Sequence, residues 1–273
     1  MKARNYILDF QDRTHIMGIL NTTPDSFSDG GRYDETEAAV RHAVQMAAEG
    51  AHIIDIGGES TRPGYTPISA REEISRTVPV IEAVAAAVEV PISIDTFKAR
   101  TAEKAVEAGA SIINDIWGAK KEPEIAAVAA EKQVPIILMH NREKINYTNF
   151  MRDSLNDLYE SITIAKKAGV ADDQIIIDPG IGFAKTMDQN IEMMQNLDRV
   201  IALGYPVLLG TSRKRMIDYV LNVPVDERME GTGATCCFGA QKGCCIMRVH
   251  DVKPIARMMK MMDALMGKEQ KRG

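Results

Sequence analysis

The chain has 273 residues, 45% hydrophobic and 26% charged, with a net charge of −5 at pH 7. This composition supplies a sizeable core and excludes disorder as the main state, and its acidic balance argues against nonspecific nucleic-acid binding. No run approaches the roughly 20 apolar residues of a bilayer span, and residues 1–10 lack a secretory segment, so a cytoplasmic location is expected.

Residues 6–10 read as a short strand. The first long apolar run, 15–21 (HIMGILN), ends in Asn21. Asp34 and Glu37 have capping-box spacing before a helix that Gly50 can close. The second run, 51–57 (AHIIDIG), precedes a helix opened by Ser69 and Glu72. The runs 91–95 (PISID), 111–116 (SIINDI) and 134–140 (VPIILMH) follow, separated by helical patterns over 99–108 and 122–132. A long helix is expected over 148–168, then the run 174–178 (QIIID). Thr186 and Gln189 open one helix closed by Gly204, before the run 205–210 (YPVLLG). Helices over 213–221 and 233–242, the run 244–250 (CCIMRVH) and a helix over 253–266 complete the series. Continuous apolar runs suit strands buried on both faces of a parallel sheet.

Eight such strands alternating with helices predict a single (β/α)8 TIM barrel over 1–273, with the N-terminal strand or hairpin at the barrel bottom. An open dinucleotide-binding sheet is disfavoured, because Asn21-Thr22-Thr23-Pro24 stands where its glycine signature belongs. Cys236, Cys237, Cys244 and Cys245 lack a common zinc spacing and read as small buried hydrophobes.

Barrel chemistry sits where the strands end. Here the ends read Asn21, Asp55 with Glu59, Asp95, Asn114 with Asp115, His140, Asp178, Thr211 with Ser212, and Arg248 with His250. Any one of these alone reads as a helix cap. A whole rim of Asp and Asn suits a flat heterocycle, since a carboxylate can accept two N–H bonds and an amide can donate and accept. The late basic residues Arg213, Lys214, Arg215, Arg248 and His250 suit a phosphate group beside the last two strands. Gly- and Pro-rich loops after the first two strands, 22–33 and 57–67, look like lids, with Phe27 able to cover an aromatic ligand.

These residues also resemble the dihydropteroate synthase family over nearly the whole chain. The motifs that carry the resemblance are 17–33 (MGILNTTPDSFSDGGRY), 54–64 (IDIGGESTRPG), 94–98 (IDTFK), 113–118 (INDIWG), 139–142 (MHNR), 177–186 (IDPGIGFAKT), 209–214 (LGTSRK), 231–235 (GTGAT) and 248–252 (RVHDV). The resemblance implies a barrel that joins 7,8-dihydropterin-6-ylmethyl diphosphate to 4-aminobenzoate and releases diphosphate. It maps the pterin pocket onto Asp95, Asn114, Asp178 and Lys214, with Ile116, Met139, Phe183 and Gly210 lining it. It places the diphosphate against Asn21, Thr61, Arg248 and His250, with Mg2+ on Asn21, and the aminobenzoate beside Phe27, Thr61, Arg62, Pro63 and Lys214. It implies catalytic parts for Asp29, Asp95, Lys214, Arg248 and His250, and a homodimer formed through late helices. One departure stands out: Arg215 occupies a place beside the aminobenzoate pocket where the family usually has Ser. Two alternatives stay open, a pterin-dependent methyltransferase on the same barrel and a noncatalytic pterin-binding paralogue.

Overall fold

The runs of Ile, Val and Leu form eight parallel strands in a computed structural model that describes residues 1–22, 32–59 and 67–268. They are β3 (His15–Asn21), β4 (Ile53–Gly57), β5 (Ile92–Asp95), β6 (Ile112–Asp115), β7 (Ile136–Met139), β8 (Ile175–Asp178), β9 (Leu208–Leu209) and β10 (Ile246–Val249). Their order is β8-β7-β6-β5-β4-β3-β10-β9. A parallel bridge between Ile177 and Val207 closes the ring, supported by the Ile177 amide donating to Pro206 O at 2.9 Å. The wall helices are α1 (Arg32–Ala48), α2 (Ala70–Ala85), α3 (Ala99–Ala108), α4 (Glu124–Lys132), α5 (Phe150–Lys167), α6 (Met187–Gln195), α7 (Leu197–Ile201), α8 (Arg215–Leu221), α9 (Met229–Lys242) and α10 (Val252–Leu265). No helix among the described residues is long and apolar enough to cross a membrane.

The strands sort their side chains by alternation into two cores. Ile16, Leu20, Ile54, Ile56, Ile94, Ile113, Leu138, Ile177, Leu209 and Val249 face the helices and join the larger cluster. Met17, Ile53, Ile112, Ile137, Ile176, Leu208 and Ile246 fill the barrel interior. That inner layer is plugged from below by Ala3 and Leu8. The bottom is a hairpin of two short strands, β1 (Lys2–Ala3) and β2 (Tyr6–Ile7), rather than one strand over 6–10. Close packing between layers fixes some small residues: a Cβ on Gly18 would stand 2.7 Å from Met46 Sδ.

Several helix starts follow their caps. Ser69 Oγ accepts from the Glu72 amide at 3.2 Å, and Thr186 with Gln189 forms a reciprocal capping box. Others correct the expectation. The first helix begins at Arg32, so Asp34 lies inside its first turn. The segment after Thr186 is two helices, because Asn196 ends α6 and immediately starts α7. The penultimate strand shrinks to Leu208–Leu209, with Pro206 supplying only a carbonyl to the ladder. The four cysteines are free, and Cys236 and Cys244 are buried as small hydrophobes.

Candidate active site

The alternation that puts Ile53, Ile112, Ile137, Ile176 and Ile246 inside the barrel also turns inward the residues two positions further along each strand. These are Asp55, Asn114, Met139, Asp178 and Arg248. Asp95 and Asn21 hold the same phase on their strands, as the register pairs Gly57 with both of them. The polar rim is therefore the top layer of the barrel interior, stacked on an apolar one.

Arg248 ties that layer together. Its Nε donates to Asp55 Oδ2 at 2.6 Å and its Nη2 donates to Asp95 Oδ2 at 2.7 Å. Asn114 Nδ2 donates to the same Asp55 oxygen at 3.1 Å, so Asp55 sets the orientation of the amide. Asp55 is completely buried, and one oxygen each of Asp55 and Asp95 is buried without a partner among the described residues. Unpaired carboxylate oxygens at the floor of a mouth are acceptors for a ligand's N–H groups. Burial pushes the Asp95 carboxyl above its ordinary range; Arg248 opposes the shift and Asp55 adds to it. Burial disfavours the Arg248 cation, but Asp55 and Asp95 outweigh that and hold its pKa above the usual guanidinium value.

Asp178 and Lys214 form the other side. Asp178 Oδ1 accepts from the Gly180 amide at 2.7 Å, and burial raises the pKa of its carboxyl against the pull of Lys214. Lys214 Nζ donates to Ile181 O and lies 4.9 Å from the centre of the Phe183 ring. Burial lowers the Lys214 pKa to about 8, with Asp178 opposing and Arg248 reinforcing the shift. Gly210 floors the gap: a Cβ there would lie 3.8 Å from Lys214 Nζ and 3.9 Å from Arg248 Cβ. Met139 and Ile116 are buried in the wall. Just past the last two strands, Ser212 Oγ accepts from the His250 amide at 3.1 Å and pairs with His250 Nδ1 at 2.9 Å.

The structure separates the three consecutive basic residues. Arg213, at φ 56°, makes a bidentate pair with Asp251 at 2.9 and 2.6 Å. Lys214 turns into the site. Arg215 is exposed on the first residue of α8. Of these three only Lys214 joins Arg248 at the site. Asn21 is exposed at the end of β3. Phe27, Asp29, Thr61, Arg62 and Pro63 lie outside the described residues.

Two features receive no role from the sequence. Asp55, read from the sequence only as one of the polar strand ends, is the hub of the rim. Lys98 pairs with Glu59 and, at 2.8 Å, with Glu73 Oε2, while Glu59 accepts from the Ile68 amide at 3.3 Å. This buried cluster clamps residues at both ends of the second strand's loop, and nothing in the spacing announces it.

No group of three or more His, Cys, Asp or Glu side chains suited to a metal occurs among the described residues. Asn21 still offers a carboxamide oxygen at the mouth. That donor fits magnesium, which favours oxygen ligands, retains waters and takes others from phosphates.

A family model described as pterin binding enzyme matches residues 17–250. The chain is 60% identical over 261 residues to the dihydropteroate synthase of Bacillus subtilis, covering 96% of this chain and 92% of that one. A Clostridium difficile dihydropteroate synthase structure determined in the presence of pteroic acid superposes with a TM-score of 0.93 at 44% identity, covering 95% and 99% of the two chains. A Xanthomonas albilineans dihydropteroate synthase with 4-aminobenzoic acid gives 0.89 at 40% identity, covering 94% of each.

Proposed function

The chain belongs to the pterin binding enzyme family, and on that premise we propose that it is a dihydropteroate synthase. It condenses (7,8-dihydropterin-6-yl)methyl diphosphate with 4-aminobenzoate to give 7,8-dihydropteroate and diphosphate. The observation that carries this reading is the joined rim. Carboxylate and amide groups of Asp55, Asp95, Asn114 and Asp178 meet the cations Arg248 and Lys214 at one end of one barrel.

The chemistry follows from that layout. Asp178 accepts N–H bonds from the amino-pyrimidine edge, Asn114 bonds the same ring, and Lys214 donates to its carbonyl side. Phe183, Met139, Ile116 and Gly210 supply the flat apolar walls. Arg248, His250 and Asn21 lie where the diphosphate departs, and positive or donor groups there stabilise the charge that develops on it. Asn21 would hold Mg2+, which when bound neutralises charge on the leaving group.

The C–O bond to diphosphate breaks first, with its electron pair leaving on the phosphate oxygen, because ring nitrogens can stabilise the exocyclic methylene cation. The neutral amine of aminobenzoate then attacks that carbon and loses a proton to solvent. Asp95, and Asp29 from the first loop, stabilise the cation. The amine partner lies beside Phe27, Thr61, Arg62, Pro63 and Lys214, with Arg215 at the edge near its carboxylate.

The working form is a homodimer. Exposed Tyr219, Val220 and Leu221 of α8, with Val225 just beyond, offer an apolar late-helix face for a second copy. The setting is the cytoplasm, in keeping with four free cysteines.

The test is a coupled assay for diphosphate release. Release that needs both the pterin diphosphate and 4-aminobenzoate is the expected result. Absence of release with both present would remove the reading.

A further inference from the structure

Lys185 has no part in the reaction above, yet it is 5% exposed and makes three polar contacts. Its Nζ donates to Gly180 O at 2.8 Å and to Phe183 O at 3.1 Å, and it pairs with His140 Nδ1 at 2.7 Å. Both carbonyls lie on the turn between β8 and α6. His140 is the residue that follows β7.

The line continues outward. His140 Nε2 lies 3.0 Å from Asp157 Oδ2, and Asp157 accepts from Arg142 Nε at 2.5 Å and from Nη2 at 3.2 Å. An ionised Asp157 requires a hydrogen on His140 Nε2. One further proton, shared between Nδ1 and Nζ, then satisfies every group in the line. Lys185 keeps two N–H bonds to the turn whichever of the two nitrogens holds that proton.

The turn it grips builds one whole side of the site. The Gly180 amide orients Asp178, Ile181 O accepts from Lys214, and the Phe183 ring lies against Lys214. The backbone there is unusual. Gly180, Gly182 and Ala184 have φ values of 67°, 86° and 45°, a region L residues avoid. A Cβ on Gly180 would fall 2.0 Å from His140 O. Tyr147 Oη pins the far end by donating to Ala184 O at 2.8 Å. Such a conformation persists only when its surroundings determine it.

We propose that Lys185 is a positioning residue for ring recognition. It staples the β8–α6 turn to His140 and so fixes the relative placement of Asp178, Phe183 and Lys214. The diphosphate end of the site hangs on β3, β9 and β10 and does not pass through this staple. The inference rests on the synthase reading.

Titration calorimetry with two separate probes tests it, 6-hydroxymethylpterin for the ring subsite and inorganic diphosphate with Mg2+ for the tail subsite. Lys185→Met should weaken the pterin about tenfold or more and leave diphosphate within about twofold. Unchanged pterin affinity would overturn the inference. So would equal weakening of both probes, which marks a purely structural role. If Lys185→Met does not fold, Asp157→Asn decides, since it loosens the far anchor and leaves Lys185 in place. A severalfold loss confined to the pterin supports the staple, and no loss or a loss shared by both probes refutes it. Failure of the synthase reading looks different, because the unaltered protein would then release no diphosphate in the coupled assay, whatever its pterin affinity.

Discussion

The two ends of the barrel are built from the same strands and the same alternation, and they treat buried polar groups differently. At the bottom, Thr14 donates to Asp263 through both its amide and its hydroxyl, at 2.9 and 2.7 Å. His15 Nε2 meets Asp9 O at 3.1 Å, and its ring packs edge-on against Phe10 and His52. Leu8 and Ala3 then close the floor. At the top, carboxylates share one arginine and keep oxygens unpaired. Strand phase alone does not make a site. The difference lies in whether buried charge is sealed under apolar cover or left facing a mouth.

The strongest way to break the contrast is Asp178→Ala. We expect kcat/KM to fall more than about a hundredfold while the thermal midpoint changes little. Near-native turnover would mean that the top layer does not do the chemistry. Asp55→Asn is expected to lower kcat/KM about tenfold, because the amide keeps its shape and loses the charge that pairs with Arg248. A neutral result would demote Asp55 from hub to filler.

Asp55 also shows how far the sequence could be read. Eight apolar runs with polar ends suffice for the barrel, since period-two burial and strand–helix alternation are local properties. The rim was legible for the same reason. Asp178, Asp95, Asn114 and Arg248 all end or nearly end a run. The joining of Arg248 to Asp55, across 193 positions, was not legible, because it depends on barrel closure. Lys185 was hidden for another reason. It lies in an aperiodic turn whose positive φ values come from packing. The fates of Arg213 and Arg215 were likewise invisible: one left-handed residue turns Arg213 away to Asp251.

Two pH measurements sharpen the contrast. At the top, Lys214 is charged below its pKa of about 8 and loses that charge as pH rises through it. The kcat/KM for the pterin substrate should therefore decline above pH 8, and Lys214→Arg, if active, should lack that limb. At the bottom, burial lowers both His15 and His52 to about 4 from 6.5. The unfolded chain then binds more protons between those values, so their stabilising effect is complete above pH 6.5 and is lost as pH falls towards 4. Buried carboxyls such as Asp95 titrate with the opposite sign, so the histidine part is read by difference: between pH 6.5 and 4 the urea midpoint of His52→Gln should change less in the acid-destabilising direction than that of the unaltered protein. Parallel profiles for the two proteins would show that the floor is not sealed.

The smallest effect is expected at Arg215, exposed at the start of α8. Arg215→Ser should shift the KM for aminobenzoate and inhibition by a sulfonamide only severalfold, because an exposed charge is screened. Identical constants would remove Arg215 from the site.

The most direct trial of the account is a crystal structure with the pterin diphosphate and Mg2+ bound. The account predicts the ring against Asp178 and Asn114, with the diphosphate reaching Arg248, His250 and Asn21. A ring bound elsewhere, or a diphosphate pointing away from Arg248, would contradict it.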